Sequence, residues 1–170
     1  MLWNIAFVGY FFVVVGALVF GFITVQAQRQ TAAAQTRDFH VRSLDCLARN
    51  VYYEARGESL LGQYAVAEVT MNRVRAPRYP KTVCGVVHDT RWDPSRHRFV
   101  GHFSWTEMTD RSDPWGPPWE QAKKVATAVY NEAYMPLVPD ALHYHAVDVQ
   151  PDWARSKHLI AKIGHHIFYN

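Results

Sequence analysis

The chain has 170 residues, 49% apolar and 19% charged, which is enough for one domain with a real core plus a short appendage. Lysine and arginine (18) exceed aspartate and glutamate (15), for a formal charge of +3. That balance is mild and the basic residues form no dense run, so it suits an anionic polymer or surface and gives no case for nucleic acid as a partner.

Residues 3–25 are almost uninterrupted apolar, with only Asn4 and Thr24 clearly polar. A helix of that length spans a hydrocarbon core of about 30 Å, and it lacks the polar face of a core helix. Two readings follow for residues 1–27: a membrane anchor, or a signal peptide cut after Val25-Gln26-Ala27. Either makes the membrane a partner through residues 3–25. Arg29, Arg37 and Arg42 follow the segment and no basic residue precedes it, which on charge alone favours a cytoplasmic side for what comes after. Residues 28–40 are poor in bulky apolar side chains and read as a linker or frayed helix, leaving 41–170 as the folded domain.

Ser43 is placed to cap a helix with Leu44, Leu47, Ala48, Val51 and Ala55 on one face, ended or bent at Gly57. A second helix is expected over about 59–74, buried through Leu61, Ala65, Val66 and Val69 and stopped by Pro77 and Pro80. Residues 90–118, dense in Pro, Asp, Ser and Gly, read as a long irregular binding region. A third helix is expected from Pro118 to about Tyr134, with Trp119, Ala122, Ala126, Val129 and Ala133 inward. Residues 141–147 and 165–169 are short and aromatic-rich, as strands are. The fold class is α+β, mainly helical, with a small β-sheet towards the C-terminus.

Cys46 and Cys84 form no C-x-x-C motif. They would pair in an oxidising compartment and stay buried thiols in a reducing one. Glu54 and Glu58 are spaced one helical turn apart at the end of an apolar-faced helix. Burial raises a carboxyl pKa and a like charge at i+4 raises it further, which keeps a proton available near neutrality for a leaving group. The competing reading is that both are solvated, or that Glu54 pairs with Arg56 or Arg73. His143 and His145 share one face of a strand and could hold zinc with a third ligand, but no H-E-x-x-H spacing supports this and no metal or cofactor is expected. Trp92, Trp115, Trp153 and the block Phe103-Ser104-Trp105-Thr106 suit stacking on sugar rings, against the alternative of core packing.

The run Cys46-Leu47-Ala48-Arg49-Asn50-Val51-Tyr52-Tyr53-Glu54-Ala55-Arg56-Gly57-Glu58 resembles the signature of SleB-type cell wall hydrolases, the family of the spore cortex-lytic enzymes. The resemblance continues in order through Gly62-Gln63-Tyr64, Asn72-Arg73-Val74, Val83-Cys84-Gly85, Phe103-Ser104-Trp105-Thr106, His143-Tyr144-His145-Ala146, Pro151-Asp152-Trp153 and His165-His166-Ile167-Phe168-Tyr169. It implies a lysozyme-like, lytic-transglycosylase-like domain that cleaves peptidoglycan glycan strands between N-acetylmuramic acid and N-acetylglucosamine, leaving 1,6-anhydro ends. It implies Glu54 as the catalytic acid and Glu58 as its support or alternative. Ser104, Thr106, Tyr144, His145 and Trp153 would line the sugar cleft. The domain would then lie outside the cytoplasm, periplasmic or on the cell surface, or secreted if cleaved after Ala27. The alternatives are muramidase hydrolysis by the same glutamate, an N-acetylmuramoyl-L-alanine amidase, and a binding module without activity. Cysteines that flank the Phe-Ser-Trp-Thr block in many relatives are missing here, where His102 precedes it and Glu107 follows.

Overall fold

The computed structural model describes residues 2–94 and 96–170, with side chains from residue 20 onward. The chain divides into Met1–Val41 and Arg42–Asn170. The first unit is helical, the start of α1 (Leu2–Ala55). Its threonines back-bond within the helix, Thr31 donating to the Ala27 carbonyl and Thr36 to that of Ala32. Residues 28–40 are therefore helix, and no new helix starts at Ser43, which is buried inside α1. The segment is rich in Ala, Gln and Arg, which are good helix formers whatever their polarity. Among the described residues no helix is long and apolar enough to cross a membrane. The segment 3–25 expected to do so falls mostly on residues whose side chains lie outside the description.

In the second unit, the end of α1 packs with α2 (Leu60–Arg75), α3 (Val83–Val87) and α4 (Gly116–Tyr130). Cores lie on two sides of α2. One joins Leu47, Val51, Tyr52, Ala67, Val86, Phe103, Trp105, Val125 and Val129. The other joins Ala55, Ala65, Val66, Val69, Val138, Ala141 and Phe168. A helix contacted on both sides must be small and apolar nearly all round, and α2 is buried continuously from Ala65 to Thr70. Ser59 caps it, its hydroxyl accepting from the Gly62 amide at 3.3 Å. Extended Ala76, before Pro77, ends it. Leu61 does not join the buried stripe; it is 57% exposed, on the outer side of the first turn.

Residues 90–118 are more ordered than their composition suggests. They contain an antiparallel hairpin, β1 (Thr90–Asp93) with β2 (Arg98–Gly101), and a 3-10 turn over Ser104–Glu107. The Glu107 carboxylate accepts from the Gly101 amide and pairs with Arg98 at 2.9 Å, fastening that turn to the hairpin. The third expected helix starts earlier, at Gly116, with the prolines in its first turn, and stops at Tyr130. Ala133 consequently lies outside it and exposed.

The C-terminal sheet is antiparallel, β3 (His143–Ala146), β4 (Leu159–Ile163) and β5 (His166–Tyr169) in the order β3-β5-β4. β4 is an addition to the two strands expected. Polar side chains of α2 fix where β3 begins. Glu68 accepts from the Leu137 and Val138 amides at 2.8 and 3.2 Å. Asn72 donates to the carbonyls of Val138 and Ala141, both at 3.1 Å, and Arg73 Nε donates to that of Leu142 at 2.9 Å. Cys46 on α1 and Cys84 on α3 are joined by a disulfide, with Cα atoms 5.3 Å apart.

Glu68 is 2% exposed, and its removal leaves buried amides without an acceptor. Glu68→Ala is expected to cost about 2–4 kcal/mol. Urea unfolding of the two proteins measures this.

Candidate active site

Glu54 lies in the last turn of α1, on the side of Ala55 and Val51 that meets the cores. Tyr144 of β3 donates its hydroxyl to Glu54 Oε2 at 2.8 Å. Side chains on a strand alternate, so Tyr144 shares its face with the paired Phe168 and with His166, whose ring meets Tyr144 edge-on at 5.2 Å. Burial first raises the Glu54 pKa; the Tyr144 hydrogen bond and the charge of Arg73 act in the opposite sense and do not cancel it. Burial and the nearby Glu54 push the Tyr144 phenol well up, so it keeps its proton and stays a donor.

Arg73 is the site residue whose role is least visible in the sequence, where it is only a pairing option for Glu54. It is 6% exposed, its Cζ lies 5.0 Å from the Phe103 ring centre and 5.6 Å from that of Tyr79, and its Nη1 has no hydrogen-bond partner. Burial lowers its pKa, opposed by Tyr144, Tyr79 and Glu54. A guanidinium nonetheless remains charged, and it supplies a fixed cation behind the Glu54–Tyr144 pair.

Glu58 is not on the helix with Glu54. α1 stops at Ala55, and the chain turns through Gly57. The Glu58 carboxylate accepts from the His165 amide at 3.0 Å and meets His165 Nδ1 at 3.1 Å. These contacts hold the turn between β4 and β5. Burial would raise its pKa, but the His165 bonds and the charges of His166 and His165 outweigh this and lower it. Glu58 is not among the groups that shift Glu54. The fit is close: at Gly164, with φ of 57°, an added Cβ would collide with Glu58 Oε2.

The other expected cleft residues fall in two places. Ser104 is exposed and Thr106 half-buried, either side of Trp105. The Thr106 hydroxyl donates to the Phe103 carbonyl at 2.7 Å, while Trp105 stacks on Tyr53, the neighbour of Glu54, at 4.6 Å. Trp105 Nε1 donates to Asn50 Oδ1 at 2.9 Å, and Asn50 donates to Thr70 at 3.0 Å, so this aromatic is a core anchor. His145 and Trp153 lie on the opposite face of β3 from Tyr144. There His145 stacks on Tyr169 at 5.3 Å and Trp153 packs against both. His143 shares that second face, and its Nε2 lies 3.1 Å from an Arg78 nitrogen. Burial and the charges of Lys157, Arg73, Arg78 and His102 push His143 down to about 3, so the neutral ring accepts that bond. Among the described residues no three His, Cys, Asp or Glu side chains are grouped to hold a metal ion.

The chain that carries this arrangement has relatives among known proteins. Residues 57–169 match the family model described as cell wall hydrolase, and the chain belongs to that family. The match opens just after Glu54. The spore cortex-lytic enzyme of Bacillus cereus is 35% identical over 126 residues, covering 74% of this chain and 43% of that protein. That of Bacillus subtilis is 30% identical over 148 residues, covering 84% and 43%. This chain thus spans less than half the length of these curated relatives. Among solved structures, the catalytic domain of the germination-specific lytic transglycosylase SleB from Bacillus anthracis superposes with a TM-score of 0.56 at 32% identity, covering 75% of this chain and 93% of that one. The catalytic domain of Bacillus cereus SleB gives 0.55 at 32% identity, covering 75% and 89%.

A folded-state pKa above the ordinary 4.5 of a glutamate means that Glu54 binds its proton more tightly in the native state than in the unfolded chain. Its ionisation therefore costs stability as pH rises from 4.5 through the folded value. Glu54→Gln is expected to raise the melting temperature near neutrality, and the gain should vanish below about pH 4.5. Thermal melts of both proteins across pH 4–8 test the sign.

Proposed function

We propose that this chain is a peptidoglycan-cleaving enzyme of the lytic transglycosylase type, with Glu54 as the single acid and base. The observation that carries the reading is the Glu54–Tyr144 pair: a carboxyl made reluctant to ionise by burial, yet provided with a donor for its anion. Burial favours the protonated form of Glu54, which gives its proton to the glycosidic oxygen as the bond to N-acetylmuramic acid breaks. The carboxylate that forms is met by the Tyr144 hydroxyl and the Arg73 charge. It then takes the proton of the sugar's own C6 hydroxyl as that oxygen closes on C1, giving a 1,6-anhydro end. Glycosidases that use water need a second carboxylate as base or nucleophile. Glu58, the obvious candidate by sequence, is engaged with the β4–β5 turn instead. Likeness to a SleB domain described as a lytic transglycosylase supports the same choice.

Ser104 and Thr106 are proposed to meet the sugar on the Glu54 side. His145 and Trp153 are assigned to a strand that continues over the second face of β3. Residues 3–25 are read as the membrane-embedded segment, or as a signal cut after Ala27, with the domain outside the cytoplasm. The exposure of Phe20, Phe22 and Ile23 in the first unit (70%, 66% and 58%) supports a lipid environment there.

Digestion of purified peptidoglycan with mass analysis of the products tests this. The wild type should release fragments lighter by one water than hydrolysis products, and Glu54→Gln should release none. Fragments of full hydrolytic mass would replace the transglycosylase reading with a muramidase one; products cut at the muramoyl–alanine bond would sink both.

Removing the Tyr144 hydroxyl should slow cleavage by about tenfold, the worth of a hydrogen bond to a charged group. Because that bond lowers the Glu54 pKa, Tyr144→Phe should also move the alkaline limb of the pH–rate profile upward. A slower rate with an unmoved limb would count against direct coupling of the two groups.

A further inference from the structure

The arginines of the second unit differ in their partners. Several are engaged with acids: Arg49 with Asp45 at 2.9 Å, Arg75 with Glu132 at 2.9 Å, and Arg98 with Glu107 at 2.9 Å. Among the described residues Arg73, Arg78 and Arg91 have no carboxylate within ion-pair distance.

Arg73, Arg78 and His102 are brought together around the buried Tyr79 ring. Arg73 Cζ lies 5.6 Å from its centre, Arg78 Cζ 5.4 Å, and the His102 ring 5.8 Å. Arg78 also reaches His143, the neighbour of Tyr144. Arg91 stands on β1 beside Asp89, which is held by His102 at 3.3 Å. The charge of Arg91 is felt at both Arg73 and His102. Lys157 adds to the same field at His143. The acids facing this group are Glu54, whose neutral form burial favours and which lies beyond ion-pair distance of the three arginines, and Asp89, which His102 meets at 3.3 Å. Arg78 and Arg91 are exposed at the rim, and behind them the buried Arg73 has Nη1 unpartnered.

Leaving several guanidinium groups near one another without counter-ions costs folding energy, and arginine is well shaped to take a carboxylate in two parallel hydrogen bonds. We infer that Arg78 and Arg91, backed by Arg73, form a subsite beside Glu54 for a carboxylate carried by the substrate. On the proposed function, on which this rests, that carboxylate belongs to the muramic acid unit: its lactyl group, or the peptide attached there. The subsite selects anionic, substituted glycan over neutralised glycan, and it sets the register of the strand so that a muramic acid precedes the bond presented to Glu54.

The test uses the whole chain carrying Glu54→Gln, which binds without cutting. Its affinity is measured at low ionic strength for solubilised peptidoglycan fragments, and for the same fragments with carboxyls converted to primary amides. Native fragments should bind about tenfold more tightly, from about threefold per exposed arginine contact. Adding Arg78→Ala and Arg91→Ala together should abolish the difference, whereas Lys124→Ala, on the exposed side of α4, should preserve it. Both arginines are exposed, and a melting temperature close to that of the parent confirms that the fold is kept. Strands stripped of peptide separate the two sources: binding like native fragments assigns the lactyl carboxylate, binding like amidated fragments assigns the peptide. Equal affinity for native and amidated fragments would overturn the subsite, as would a difference that survives the double arginine variant. Failure of the functional reading looks different: no cleavage by the wild type, whatever the binding preference.

Discussion

The arrangement depends on one set of contacts, the grip of α2 on residues 137–142. Along its middle turns a helix between two cores has no solvent face, so polar side chains there must find partners inside. Glu68, Asn72 and Arg73 find them in the backbone of the segment that leads into β3. An unpaired buried amide or carbonyl is expensive, which makes this segment's path close to obligatory. Because the path sets where β3 starts, and alternation sets which way each residue points, the same contacts deliver Tyr144 to Glu54.

Opposing influences on one carboxyl follow from that geometry. Burial in the last turn of α1 resists ionisation of Glu54, whereas the Tyr144 hydroxyl and Arg73 favour it. A group held by burial alone would keep its proton too well to give it up; one held by donors alone would already have lost it. Both effects act on the one carboxyl, which holds its proton affinity between those two extremes.

Much of this is legible in the sequence, for reasons that also explain what is not. α2 is marked by a serine cap and a closing proline, and β3 and β5 by short aromatic runs. Glu54 is marked by its place on an apolar stripe. The β1–β2 hairpin is hidden because each strand has four residues and lies in a stretch whose composition signals turns. The continuity of α1 is hidden because its Ala- and Gln-rich middle lacks an apolar stripe, which measures burial rather than helicity. Glu58 is misleading because i+4 spacing carries meaning only inside a helix, and α1 ends before it. The alternation that puts His143 and His145 together also separates both from Tyr144, so His145 and Trp153 fall on the second face. Glu68 and Asn72 leave a faint signal, polar residues at i and i+4 within an otherwise small, apolar helix.

The disulfide has a mechanical consequence. Cys46 sits about 12 Å before Glu54 along the same helix, and it is bonded to α3. Distortion of α1 that begins between Arg42 and Cys46 therefore reaches a covalent junction with α3 before it reaches Glu54. The junction diverts that distortion into α3, and through the core into α2 and α4. The distance between Glu54 and Tyr144 is thereby insulated from distortion of α1 that begins ahead of Cys46.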